Sequence, residues 1–533
     1  MGRTDWPVII FAWQLFRYVH SGLMFSRTYG MPWPMPQKFE LLGFNFTLRK
    51  CDFHVSTNYA CDILTHALEY YDKVLFGRED KQDDLRSCGA MFNSSIERAS
   101  LTFEVVVGSP CPTYPQENMS EHYGITMRIN GSIVLRAPEV WGALRGLETF
   151  SQLVVRGGSQ NIVRAANIKD YPRFSYRGIL LDTARHFLSV EVIKQNIEIM
   201  SQNKFNVFHW HIVDDQSFPF ESEVFPSLSA YGAYSSAHVY HPSDVAEIIE
   251  YARLWGVRVV PEFHSPGHMA SWGLGNSLLL LSDCTLNGQQ YDEQLKTLAV
   301  IDPTREENYK FLGEFFEEVL THFKDNYLHL GGDEIPQFCW RNHGKVAQFP
   351  KAEKLDATSL IKLHFKNLLD SIKTAVRDFT PVYWHDAFQY VVNLTSKAVF
   401  QVWKLGDFWY DVDMITRSGH AVILSSCWYL NFISYKPDWR RFYTCDPRAL
   451  PSATRQQRKL VIGGEVCMWG EYVDETNVLQ LLWPRASAAG ERLWSSVVQA
   501  NADAALPRLE EHRCRMLGRG YPAQPLNGPG FCA

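Results

Sequence analysis

The chain has 533 residues, 46% hydrophobic and 21% charged, a globular composition too long for one ordinary core. Two domains are expected, one of them large enough to be a barrel. Fifty-two Lys and Arg against 58 Asp and Glu leave a net charge of -6 and no basic footprint, so no nucleic-acid partner is expected.

Residues 1–28 read as a leader. The run "WPVIIFAWQLF" (6–16) is too short to span a bilayer, but with Arg3 before it fits the apolar part of a secretory signal. Asp5 and Arg17 keep an unstructured leader open as the other reading. No later apolar run is long enough for a membrane helix. Asn45, Asn93, Asn118, Asn130 and Asn393 each begin an N-x-Ser/Thr acceptor, which supports secretion. Next come strand patterns at 100–110 and 122–138, the second a hairpin turning at Asn130-Gly131. A helix over 142–155 has Leu144, Leu147 and Leu153 on its apolar side. These define an α+β domain over 29–168.

From residue 169 to 533 the pattern alternates. Apolar runs at 177–184, 205–215, 257–268, 327–334, 381–388, 398–403, 420–430 and 460–472 are separated by helical stretches. In one stretch Ile193, Ile197 and Met200 share a face, and another is capped by Ser243 and ends at Gly256. Eight such units predict a (β/α)8 TIM barrel, an α/β catalytic domain.

Chemistry in such barrels sits at the carboxyl ends of the strands. Those ends carry Asp182 and Arg185, Asp214 and Asp215, Glu262 to His268, Asp333 and Glu334, Trp384 and Asp386, Trp403, Trp428 and Tyr429, and Trp469 and Glu471. Aromatic walls with carboxylate and guanidinium hydrogen-bonders suit a sugar, whose rings have apolar faces and hydroxyl edges. In "YLHLGGDE" the glycines Gly331 and Gly332 allow a turn that brings both acids to the pocket, where adjacency raises the pKa of one, as a general acid needs. The competing reading is helix capping by Asp333. His209 and His211 share a strand face, as metal ligands do, but His385 and His420 are poorly placed to complete a site. Neither metal nor cofactor is expected.

The stretches "RGILLDTARHFLSVEVIKQNIEIMSQNKFNVFHWHIVDD", "LHLGGDE", "WYLNFISY", "GGEVCMWGEYVDETN" and "LWPRASAAGERLWS" resemble glycoside hydrolase family 20, the family of the lysosomal β-hexosaminidase subunits. The resemblance runs from about residue 29 to the end. It implies a retaining exo-hydrolase that releases terminal β-linked GlcNAc or GalNAc through an oxazolinium intermediate, with the substrate's acetamido oxygen as nucleophile. It further implies Glu334 as general acid and base and Asp333 as the group that orients the acetamido. Asp214 and His268 support the acid. Arg185 and Glu471 hold ring hydroxyls, Trp384, Trp403 and Trp469 form the walls, and Tyr429 bonds the acetamido oxygen. Asn431 belongs to the same substrate-binding set. Cys61–Cys111, Cys284–Cys339 and Cys514–Cys532 match family disulfides, and the odd total of eleven leaves a thiol unpaired. The resemblance implies a homo- or heterodimer, with "RASAAGERLWS" in the contact, and a lysosomal or secreted location.

Two positions depart from the family. His264 in "PEFHSPGH" stands where the family usually has Asp, and a cationic His264 beside Glu334 would weaken the acid. Phe432 follows Asn431 where the α-type subunit has Arg, so a cation for sulfated or sialylated sugars is missing. The alternative function is a weakly active or inactive glycan-binding homologue.

Overall fold

The computed structural model describes residues 28–77, 100–157, 160–281, 299–342, 346, 357–373, 378–497, 501–526 and 532. Residues 1–27 of the expected 1–28 leader, Asn93, Cys88 and Cys284 lie outside these residues.

The first region is a seven-stranded sheet in the order β1-β7-β4-β5-β3-β2, with β6 paired to β7. Its strands are β1 (Lys38–Leu48), β2 (Phe53–Thr57), β3 (Leu101–Val107), β4 (Tyr123–Met127), β5 (Ser132–Ala137), β6 (Val154–Gly157) and β7 (Gln160–Asp170). In β3, buried Leu101, Phe103, Val105 and Val107 alternate with outward residues, the period-2 pattern of a sheet covered on one face. β4 and β5 pair antiparallel across the Asn130-Gly131 turn, where Gly131 takes φ 88°. Helices α1 (Asp62–Phe76) and α2 (Val140–Gln152) pack on the apolar face.

α2 differs from the one-sided helix read from sequence, because all thirteen of its residues are buried. The sheet covers one side and the second domain the other, so its polar side chains find partners inside the protein. Arg145 reaches Glu121, Ser201 and the carbonyls of Trp255 and Gly256, while Glu148 accepts from Tyr71 and Arg519.

Eight parallel strands close into the barrel: β8 (Tyr176–Asp182), β9 (Val207–His211), β10 (Arg258–Glu262), β11 (Tyr327–His329), β12 (Thr380–Trp384), β13 (Val399–Val402), β14 (Ala421–Leu424) and β15 (Val461–Met468). Each pairs with the next in sequence, and β15 returns to β8 in register from Gly463↔Tyr176 to Met468↔Leu181. The eight predicted runs supply these eight strands. Around them lie α3 (Val190–Gln202), α4 (Pro242–Leu254), α5 (Glu306–His322), α6 (Ala357–Lys373), α7 (Phe408–Arg417), α8 (Arg485–Trp494) and α9 (Ala502–Gly518). Ile193, Ile197 and Met200 of α3 are fully buried.

Two local readings need correction. The cap of α4 is His241, in a reciprocal box with Asp244, rather than Ser243. Pro242 at the first helical position holds its preceding residue extended, and the first turn begins there. The "RASAAGERLWS" segment forms α8, whose ten residues are all buried within this chain. Trp33 donates to the Ser487 carbonyl at 3.0 Å and Arg508 pairs with Glu491 at 2.7 Å, so α8 has no face left for a second subunit.

Disulfides join Cys61 to Cys111, Cys427 to Cys445 and Cys514 to Cys532, and Cys51 and Cys339 are also disulfide-bonded. Cys467 is free and buried. Asn45, Asn118, Asn130 and Asn393 are exposed. Among the described residues no helix is long and apolar enough to cross a membrane.

The two regions are clamped by buried charge. Glu121, ahead of β4, takes Arg145 of α2 at 2.9 Å and Arg177 of β8 at 2.5 Å, all three nearly inaccessible. Burial opposes the Glu121 charge, but the two guanidinium groups hold its carboxyl below the usual range. Glu121→Gln leaves two arginines buried around a neutral group. Removing one member of a buried pair typically costs about 3–5 kcal/mol. The variant is therefore expected to unfold at a clearly lower denaturant midpoint than wild type.

Candidate active site

The strand ends build the site through a chain of alternating charge. Glu262, at the end of β10, is fully buried and accepts from Trp384 Nε1 at 2.7 Å and from His211 Nδ1 at 2.6 Å. His211 Nε2 turns the other way and reaches Asp214 at 2.8 Å. Both ring nitrogens thus face carboxylates, which an imidazolium satisfies by donating twice. Burial opposes that charge, but Glu262 and Asp214 outweigh it and lift the His211 pKa to about 10. Asp214 also accepts from Arg185 at 2.9 Å and His268 at 3.1 Å. These cations overcome burial and hold it well below the usual carboxylate range. Burial and the Asp214 charge push its neighbour Asp215 up.

His268 carries the chain to the pocket mouth. Burial opposes its charge, yet Asp214 and its other acidic neighbours raise its pKa well above the ordinary value. Its Nε2 lies 3.5 Å from Glu334 Oε2. His268 and Glu334 both adopt left-handed backbone, at φ 56° and 47°, a conformation non-glycine residues keep only where surroundings enforce it.

After β11, Gly331 and Gly332 take φ 70° and 96°, the turn read from the sequence. It separates the two acids. The Asp333 side chain is 13% exposed and turned inward to His264, whereas that of Glu334 is 59% exposed at the mouth. The expectation that adjacency raises one carboxyl does not hold for Asp333. Burial does push it up, but the His264 charge and hydrogen bond prevail and lower it. His264 accordingly pairs with Asp333, not with Glu334 as expected.

Arg185 is fixed by Asp182 at 3.0 Å and Asp214 at 2.9 Å and lies 5.2 Å over the Trp469 ring. Exposed Glu471 adds to the negative field around it. Trp384 and Trp469 lie 5.8 Å apart, Trp403 stacks on Tyr429 at 6.2 Å, and Tyr429 is 6.5 Å from Trp469. The aromatics expected as walls are therefore together. Asn431 is half-buried, its Oδ1 without a protein partner among the described residues. Phe432 is 47% exposed and stacks on Tyr429 at 5.8 Å.

Sequence reading missed the layer beneath. Glu465 binds His209 at 2.8 Å, Tyr176 at 2.6 Å and Gln401 at 2.6 Å inside the barrel. Its signal is a set of polar residues in the middle of apolar strands. His209, Glu262 and His329 bring potential metal-ligand atoms within 4.8 Å of one another. Burial opposes charge on His209, but Glu465 and Glu262 lift its pKa to about 9. The "HWH" pair thus joins the charge chain through these carboxylates.

Residues 174–497 match glycosyl hydrolase family 20, catalytic domain, and residues 32–153 match beta-acetyl hexosaminidase like. Beta-hexosaminidase subunit beta of Felis catus is 42% identical over 511 residues, 94% of this chain and 93% of the relative. Subunit alpha of Bos taurus is 39% identical over 518 residues, 94% of each chain. The solved chitobiase of Flavobacterium johnsoniae superposes with a TM-score of 0.78 at 25% identity, over 92% of this chain and 73% of that one. The β-N-acetylhexosaminidase of Streptomyces coelicolor A3(2) shares the fold at a TM-score of 0.73 and 21% identity, over 94% and 98%. The closed barrel with acids and aromatics at its strand ends is that of a glycoside hydrolase. The chain belongs to glycosyl hydrolase family 20, and its activity is that of an exo-β-N-acetylhexosaminidase acting on terminal β-linked hexosamine.

A Cβ at Gly331 would lie 2.4 Å from the His264 ring, on backbone that already needs a left-handed φ. Gly331→Ala must displace His264, Asp333 or both. Misplacement of about 1 Å can cost about 10²-fold. A fall of that order in kcat/KM on a chromogenic N-acetylglucosaminide is expected.

Proposed function

We propose that hydrolysis is substrate-assisted and retaining, with Glu334 and Asp333 in separate roles. Protonated Glu334 gives its proton to the glycosidic oxygen as the acetamido carbonyl oxygen attacks C1. The C1–O bond breaks, the aglycone leaves as an alcohol, and an oxazolinium ion remains. Glu334, now a carboxylate, takes a proton from water, whose oxygen attacks C1 and reopens the ring. Asp333 accepts from the acetamido N–H and balances the positive charge that develops there. The observation that carries this reading is the divergence of the two acids: one inward, charged and paired, the other at the mouth beside His268.

The remaining roles follow from position. Arg185 and Glu471 hold ring hydroxyls, and Trp384, Trp403 and Trp469 enclose the apolar faces. The Tyr429 hydroxyl bonds the acetamido oxygen, and half-buried Asn431 completes the substrate-binding edge. Asp214 and His268 set the field around Glu334. A lysosomal or secreted location fits the disulfides and the exposed acceptor asparagines. With α8 buried, a homo- or heterodimer would use exposed apolar surface such as Ile433, Tyr435 and Tyr472.

Glu334→Gln tests the acid. General acid catalysis is typically worth about 10² to 10⁴ fold. A loss of that size is expected on an oligosaccharide, with substrate affinity kept. A rate within about twofold of wild type would remove Glu334 from the role.

Phe432 supplies no charge-assisted hydrogen bond, an interaction worth roughly 1.5 to 3 kcal/mol. Neutral N-acetylglucosaminides are therefore expected to give a higher kcat/KM than their 6-sulfated forms, and equal or reversed values would contradict this.

A further inference from the structure

His264 lies two residues past β10 and is almost fully buried. Its Nδ1 is 2.9 Å from the Gly267 carbonyl oxygen, which can only accept, so Nδ1 carries a hydrogen. Its Nε2 is turned to Asp333 Oδ1. The ring cannot swing away from this contact. Gly331 presses so closely that even a Cβ there would clash, and His268 packs edge-on at 4.6 Å. With Nδ1 committed, deprotonated Nε2 would point a lone pair at the carboxylate. The geometry is satisfied when one proton lies between Nε2 and Oδ1, as in an imidazolium–carboxylate pair.

We propose that His264 is a positioning residue which clamps Asp333 as an anion in the orientation its acetamido contact requires, and thereby extends activity toward acid pH. This rests on the reading of Asp333 given above. The clamp ties Asp333 through the His264 ring to the Gly267 carbonyl, so the loops after β10 and β11 hold each other. The surrounding charges are divided between partners. His268, beside both residues, faces Asp214, Asp215 and Glu334. Glu262, on the strand leading to His264, is engaged by His209, His211, His329 and Trp384. Tyr429, from the loop after β14, is kept a neutral phenol chiefly by burial, with the Asp333 charge adding to it. His264 is thus the only basic side chain within ion-pair distance of Asp333 among the described residues.

The sign follows from the pair. Asp333 is held below its ordinary pKa. The anion it supplies to catalysis therefore persists as pH falls and is lost only when pH drops through that lowered value. Replacing His264 with Asp puts a second carboxyl against the first, and two carboxyls sharing one site raise the pKa of one.

The test is the pH dependence of kcat on 4-nitrophenyl N-acetyl-β-glucosaminide, whose good leaving group relieves the need for Glu334 as acid. His264→Asp is expected to move the acidic limb upward by about one pH unit or more, with activity recovering as pH rises. That recovery separates the effect from a folding defect. His264→Gln, which keeps a neutral donor, is expected to move the limb in the same direction by less. In an Asp333→Asn background, His264→Gln is expected to leave the limb where Asp333→Asn alone puts it. Unmoved limbs in both single variants, or a shift that survives in the Asp333→Asn background, would overturn the inference. A wild-type rate for Asp333→Asn alone would instead overturn the role of Asp333 on which the inference rests.

Discussion

Glu262 is a carboxylate without access to water at the centre of a barrel, and the site above it depends on how that charge is balanced. A buried anion is tolerated only when paired and hydrogen-bonded. Here His211 and the Trp384 indole supply the partners. The pairing orients Trp384 as part of the pocket wall and protonates His211 on both nitrogens. His211 in turn holds Asp214, and Asp214 holds Arg185 and His268. Charge alternates from the barrel interior to the mouth, so each group fixes the protonation state of the next.

The same rule governs the junction between the domains. A helix buried on every side cannot leave its polar residues to solvent, and Arg145, Glu148 and Gln152 each meet partners on other elements. Glu121 joins α2 to the first barrel strand, and Asp170 at the end of the sheet takes Lys204 from the barrel side at 2.8 Å. The N-terminal sheet thus braces β8 and the chain entering β9, the two strands that carry Arg185 and Asp214 at their ends.

Two positions that depart from the resembled family sit at the site. Phe432 stacks on Tyr429, and His264 turns its Nε2 to Asp333. The first is exposed beside Tyr429. The second is buried and, on the clamp proposed above, sets the pH at which Asp333 is charged.

The sequence alone determined the barrel and the polar residues at its strand ends. Eight apolar runs separated by helical periodicity admit few other folds, and the ends of those runs carry Arg185, Asp214, Asp333, Glu334 and the tryptophans. Local pattern carries this information because strand period and turn residues act over a few neighbours. Tertiary structure decided the partnerships. Whether His264 faces Glu334 or Asp333 depends on how the loops after β10 and β11 approach, 69 residues apart in the chain. The burial of α8 and of both faces of α2 likewise follows from what packs over them. Glu262 was legible only as part of a polar strand end and Glu465 not at all, because closure of the barrel is what brings both against His209. Charge pairing between distant strands leaves no periodic trace in sequence, because it depends on distances that exist only after the barrel has closed.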